Sequence, residues 1–136
     1  MKTILFYLLV TGSVWATDVS DQFINALIKV ESRGNDSAVG DNGKAYGCLQ
    51  IWNVVILDVN RVYKTNYTHK DAFDRVKSKE ICRKYIEHWS KYYKRKTGSS
   101  ITNEGRARLW NSGPKWWTKK HKTNKYWEKV KNELNT

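Results

Sequence analysis

The sequence predicts a single, mainly α domain of the α+β class, with one short β-hairpin beside a cleft. Three observations carry that prediction. Apolar residues recur at helical spacing in successive stretches, and turn-forming residues crowd into one segment between Gly34 and Gly47. The only proline, Pro114, stands where one of the helical patterns stops.

The first helix is expected over Asp21 to Ser32, because Ile24, Ala26, Leu27, Ile28 and Val30 make it mostly buried. Gly34, Asp36, Gly40, Asp41, Asn42, Gly43 and Gly47 then concentrate turn signals, and Asn42-Gly43 reads as a two-residue hairpin centre. Its arms would be Ser37-Ala38-Val39 and Lys44-Ala45-Tyr46. A second helix is expected from Cys48 to about Tyr63, with Leu49, Trp52, Val55 and Val59 as its core stripe. Residues 66–73 read as a loop. A third helix covers about Ser78 to Arg95, where Ile81, Tyr85, Ile86, Trp89 and Tyr93 form an apolar and aromatic stripe. Residues 97–102 read as another loop, and Thr102-Asn103-Glu104 opens a helix carrying Ala107, Leu109 and Trp110. Asn111-Ser112-Gly113-Pro114 ends it, and a last helix takes Asn124 to about Leu134. There is no internal repeat, low-complexity segment or domain linker.

At the amino terminus, Lys2 precedes an apolar run from Ile4 to Val10, and small or polar residues follow as far as Ala16. That pattern is a signal peptide over residues 1–16, too short in its apolar part to span a bilayer. Residues 17–136 then form the one folded domain, which is expected to be secreted, or periplasmic in a Gram-negative bacterium, as a monomer without a transmembrane segment. Asn35-Asp36-Ser37 and Asn66-Tyr67-Thr68 match the glycosylation triplet, which has meaning only in a eukaryotic secretory pathway.

The chain holds 25 Lys+Arg against 13 Asp+Glu, so without Lys2 the charge is 24 − 13 = +11. Such a charge favours anionic partners and salt-sensitive, electrostatically steered encounter. Outside the cytoplasm, those partners are cell-wall polymers, lipid headgroups or released nucleic acid. From Lys91 to Lys131, lysines interleave with Trp89, Tyr92, Tyr93, Trp110, Trp116, Trp117, Tyr126 and Trp127. Aromatic faces among basic groups suit a sugar-binding cleft as well as a single-stranded nucleic acid, and no specific nucleic-acid partner is expected.

Two cysteines in an exported chain favour a Cys48–Cys82 disulfide, which would close a loop of roughly 35 residues and contribute about 3 to 4 kcal/mol. The competing reading is two buried free thiols. His69, His88 and His121 are scattered and have no ligand-like spacing with the cysteines, so neither a metal nor another cofactor is expected.

Glu31 lies at the C-terminal edge of the buried first helix, where a carboxyl leaves the apolar surface and faces a cleft. That position raises a glutamate's pKa toward the range useful to a general acid. The plain alternative is a solvated acid at a helix end. Asp41 stands ten residues on, within the turn, and a pair of carboxyls is what glycosidic-bond cleavage requires. An aspartate before Asn-Gly is also a favoured turn residue with no catalytic duty.

Four motifs now fall in order: Glu31-Ser32, Gly47-x-Leu49-Gln50-Ile51, Asn111-Ser112-Gly113-Pro114 and Tyr126-Trp127-x-x-Val130. This series resembles the lysozyme-like superfamily. The first two are shared with soluble lytic transglycosylases and, more loosely, goose-type lysozymes. The later half looks closest to invertebrate-type lysozymes, through Ala107-Arg108-Leu109-Trp110-Asn111-Ser112-Gly113-Pro114 and Thr123-Asn124-Lys125-Tyr126-Trp127. The resemblance spans about Ile24 to Val130. It departs from the invertebrate pattern at Trp110 and Ser112, where that family has histidine and glycine, and in having only two cysteines.

The resemblance implies a lysozyme-like helical domain that cleaves the β-1,4 bond between N-acetylmuramic acid and N-acetylglucosamine in peptidoglycan. Glu31 would be the acid and Asp41, in the hairpin across the cleft, the second carboxylate, with Asp36 in reserve. Gln50 and Tyr46 would fix and flank Glu31 beside Ser32, Asn111 and Gly113 would meet the glycan, and Tyr126 would bond near the acid. Trp127 would stack on sugar or pack in the core. If neither aspartate acts, the expectation becomes a lytic transglycosylase that uses Glu31 as acid and then base and releases 1,6-anhydro products. A cationic antibacterial protein without catalysis, or a chitin-cleaving enzyme, would also fit the composition.

Overall fold

The computed structural model describes residues 19–136, so the expected signal peptide lies outside the described residues. Five α-helices and a small antiparallel sheet make up these residues, in keeping with the mainly α expectation. Helix α1 is Asp21–Ser32, and the Ser20 hydroxyl caps it by accepting from the Phe23 amide at 3.1 Å. Phe23, Ile24, Leu27 and Ile28 are buried on its inner side. Removing four such side chains from water stabilises by about 1.5 to 3 kcal/mol each, which makes α1 the inner wall of the core. Arg33, in the left-handed region at φ 55°, closes the helix immediately after Glu31 and Ser32. The helix therefore stops where its acid reaches the surface.

Strands β1 (Val39–Gly40), β2 (Ala45–Tyr46) and β3 (Ile51–Trp52) pair antiparallel in that order. Val39 faces Tyr46, and Tyr46 in turn faces Ile51. The turn between β1 and β2 is a short 3-10 segment, Asp41–Gly43, in which all three residues have positive φ. It is longer than the two-residue turn expected from Asn42-Gly43. Strand β3 is a departure from the sequence reading, which began a helix at Cys48. Gly47 at φ 79° and Gln50 at φ 51° turn the chain left-handed twice in four residues, which a helix cannot absorb. Helix α2 consequently begins only at Asn53 and runs to Tyr63. Gly47 is required for a second reason, since a Cβ there would collide with the Ala72 carbonyl.

Residues expected as loop include a 3-10 turn, His69–Phe73, closed by a Thr68 and Asp71 capping box. Helix α3 (Arg75–Thr97) starts earlier than expected because Asp74 caps it, accepting from Lys77 N at 2.9 Å, and Gly98 ends it at φ 75°. Helix α4 (Asn103–Ser112) starts under the Thr102 cap and stops at Gly113, as the Ser112-Gly113-Pro114 signal indicated. A 3-10 segment, Trp116–Thr123, leads into helix α5 (Asn124–Leu134).

The core gathers Leu49, Ile51, Ile56, Ile81, Ile86, Leu109 and Val130 around the buried face of α1. Cys48 and Cys82 are both buried free thiols, so the expected disulfide is not formed in this structure. Cys48 Sγ instead meets Ser78 Oγ at 3.7 Å, one turn of α3 before Cys82, and burial pushes both thiols' pKa values up.

Candidate active site

The end of α1, the hairpin, the start of α2 and the end of α4 enclose one cleft. Its walls include Glu31, Asp41, Gln50, Trp52, Asn111 and Gly113, with Tyr85 and Trp110 from the helices behind. Glu31 reaches it because α1 ends there, and Asn111 and Gly113 because α4 does.

The Glu31 carboxyl is half-buried between the core and the cleft. Loss of water around it raises its pKa from 4.5 to about 7, and the charge of Asp41 pushes in the same direction. Two groups oppose the rise. The Tyr126 hydroxyl donates to Glu31 Oε1 at 2.7 Å, and the Lys129 charge adds a smaller pull downward. Burial and the neighbouring Glu31 carboxyl in turn raise the tyrosine's own pKa well above its usual value, so Tyr126 stays a donor. A carboxyl poised near neutrality and held by one fixed donor can give a proton and take it back.

Asp41 is exposed at the hairpin turn, and Trp52 Nε1 donates to its Oδ2 at 3.1 Å. Lys44 Nζ lies 5.6 Å from the centre of the Trp52 ring. The second carboxylate of the cleft is thus held by an indole that the sequence reading had assigned to a core stripe. Trp52 is 39% exposed, because β3 turns its side chain outward while the neighbouring Ile51 is fully buried. Asp36, the reserve acid, is paired with Arg75 at 2.8 Å and forms no part of the cleft wall.

The other expected residues separate into lining and supporting positions. Asn111 and Gly113 line the cleft. Gln50 lines it too, but its amide is spent on the backbone: Nε2 donates to Ala38 O at 3.3 Å and to Gly47 O at 3.0 Å. It fixes the hairpin against the following turn and not the Glu31 carboxyl. Its Oε1 lies where a Cβ on residue 40 would be, which explains Gly40. Ser32 is a strut, since its hydroxyl donates to Cys48 O at 2.8 Å and so ties the end of α1 to the turn that carries Gln50. Tyr46 stacks on His69, at 3.7 Å between ring centres, and on Phe73, at 4.7 Å. Trp127 packs against the core from α5.

Among the cleft residues not expected as site residues are three aromatics: Trp52, Tyr85 and Trp110. Trp52 and Tyr85 sat in apolar stripes, and only the alternation of exposure along the two-residue strand β3 distinguishes Trp52 from core. Trp110 carried a signal, since it replaces the histidine of the invertebrate pattern. Among the described residues no cluster of His, Cys, Asp and Glu is arranged to hold a metal, and no helix is long and apolar enough to cross a membrane.

Comparison with curated proteins finds no match. The sequence profile of the transglycosylase SLT domain matches residues 10–130, nearly the whole chain, and its reach takes in the α1 acid, the hairpin and the end of α4. The chain therefore belongs to the transglycosylase SLT domain family, within the lysozyme-like superfamily of peptidoglycan-cleaving enzymes.

Proposed function

We propose that this protein hydrolyses the β-1,4 bond between N-acetylmuramic acid and N-acetylglucosamine, with Glu31 as general acid and Asp41 as the second carboxylate. One observation carries the reading: a Glu31 carboxyl with a pKa of about 7 on the wall of a cleft that Asp41 also lines. The proton of Glu31 passes to the glycosidic oxygen as its bond to the muramic C1 breaks, leaving an oxocarbenium-like centre. Asp41 stabilises that centre, and water then adds to C1 while Glu31 takes a proton back. The division of labour follows the handling of two carboxyls by retaining and inverting glycosidases in general. The likeness of residues 107–127 to invertebrate-type lysozymes supports hydrolysis. The +11 charge suits action outside the cytoplasm on an anionic wall, with the chain secreted or periplasmic and monomeric.

The second reading is lytic transglycosylation, in which the C6 hydroxyl of the muramic residue attacks C1 and Glu31 accepts its proton. The family match and the exposure of Asp41 are compatible with it as well as with hydrolysis. Mass spectrometry of digested peptidoglycan separates the two. Reducing ends carrying an added water are expected, and a digest dominated by 1,6-anhydro ends would replace hydrolysis by transglycosylation.

A further inference from the structure

We propose that the basic, aromatic face formed by the second half of α3, the turn after α4 and the 3-10 segment before α5 binds single-stranded nucleic acid without regard to sequence. The proposal goes beyond the cleavage reading and rests on neither Glu31 nor Asp41. Charge is the first observation. Residues 88–127 hold 11 of the 25 Lys+Arg and a single carboxylate, Glu104, so they carry 11 − 1 = +10 of the chain's +12. Folding leaves much of that excess unpaired. Glu104 is engaged by Arg108 at 3.2 Å and by Lys120 at 3.1 Å, whereas Lys94, Arg95, Lys96 and Lys115 are exposed and meet no carboxylate among the described residues.

Aromatic rings are the second observation. Tyr93 of α3 stacks on Trp116 at 5.2 Å between ring centres, and Tyr92 meets Trp117 at 6.0 Å, so the two segments that carry those cations are packed side by side. Along this seam a hollow of about 450 Å³ is lined by Trp89, Tyr92, Ser112, Pro114 and Lys115. Arg95 Cζ and Lys96 Nζ lie 6.0 and 5.7 Å from the centre of the Tyr92 ring. Half-buried rings with cations at their margins supply the two parts of sequence-tolerant single-strand binding: π-faces for unpaired bases and positive groups for successive phosphates. Other ligands use less of this face. Ser112 Oγ already donates to Arg108 O at 3.1 Å and Glu104 is taken up by its two cations, so few groups remain for the hydroxyls of a sugar. A lipid surface needs projecting aliphatic groups, yet the exposed large apolar side chains, Val39, Trp52, Val54, Leu57 and Val76, all lie outside residues 88–127. A polyphosphate has no ring to set on Tyr92, and a duplex keeps its bases stacked on each other.

The test is fluorescence anisotropy of a labelled oligothymidylate with the full chain, using a duplex of equal length, a polyphosphate of equal charge and a chito-oligosaccharide as competitors. The single strand is expected to bind at least about tenfold more tightly than the duplex or the polyphosphate. Tyr92→Leu removes a ring, and in protein whose circular dichroism matches wild type it should weaken the single strand by about fivefold or more while polyphosphate stays within about twofold. Arg95→Ala combined with Lys115→Ala alters only exposed side chains, so the fold is kept. Removing those two phosphate contacts should reduce the slope of log affinity against log salt by about 1.4. Equal affinity for polyphosphate, or equal losses on both ligands in Tyr92→Leu, would reduce the face to charge alone. Displacement of the strand by the chito-oligosaccharide would make it a sugar site, and an unchanged salt slope in the double variant would put binding elsewhere on the molecule. Each of these results overturns the proposal, and none of the readouts requires the protein to cleave peptidoglycan.

Discussion

Glu31 concentrates the chemistry of the site, and its environment makes the consequences of pH explicit. Its folded pKa of about 7 lies above the ordinary 4.5, so the native state holds a proton that the unfolded chain releases. Stability from this group is fully present below pH 4.5, declines as pH rises, and is lost above about 7. At about 1.4 kcal/mol per unit, the loss is at most about 3 kcal/mol, reduced by the group's partial exposure to the cleft. Glu31→Gln removes that slope, and denaturant titrations should find the variant more stable than wild type at pH 8 and little changed at pH 4. Activity follows the same proton: kcat/KM falls as pH rises through about 7. In Tyr126→Phe the carboxylate loses its donor, so the alkaline limb of the profile should move to higher pH. A limb that stays in place or moves down would mean that Tyr126 does not hold the acid. Glu31 and Tyr126 were legible in the sequence only through their motifs, since a lone carboxyl at a helix end is more often solvated and it is the ordered series of motifs that singles these two out. Trp52 was not, since helical periodicity and a two-residue strand place an aromatic at that position equally well, and only the left-handed turn at Gln50 decides between them.

Among elements, the segment from β1 to β3 departs most from the sequence reading and does most to shape the cleft. Positive φ at Gly47 and Gln50 sends Ile51 inward and Trp52 outward, and Ser32 and Gln50 bond the same turn from both sides. Helices were easier to read because caps and stops mark them, as Thr102 and Gly113 do for α4. A Gly47→Ala protein faces both strain at φ 79° and a collision with Ala72, so it should lose about 2 kcal/mol or more, measured as a shift in the denaturation midpoint. A variant of wild-type stability would mean that the turn has another conformation. The cysteines yield a separate expectation. With both thiols buried and free, a thiol reagent should find none accessible in the native protein and two after unfolding without reductant. None after unfolding would restore the Cys48–Cys82 disulfide that sequence reasoning favoured.

For the whole molecule, charge governs encounter and the cleft governs chemistry. The net charge acts over distances that a Debye length of about 8 Å at physiological salt already screens, so clearing of intact cells should fall as salt rises. Cleavage of a short neutral oligosaccharide should change far less, and equal losses on both would place the charge effect in the site or in stability. The fold as a whole was legible because a buried first helix, a turn-rich segment and four ordered motifs constrain each other. What was not legible was the direction of individual aromatic side chains, which depends on packing between α2, α3 and α4. The acid itself is the group on which cleavage depends most directly. Release of soluble fragments from purified peptidoglycan should be lost by at least about a hundredfold in Glu31→Gln protein whose circular dichroism matches wild type. Undiminished release by that folded variant would contradict catalysis by Glu31 and with it the enzymatic reading of the cleft.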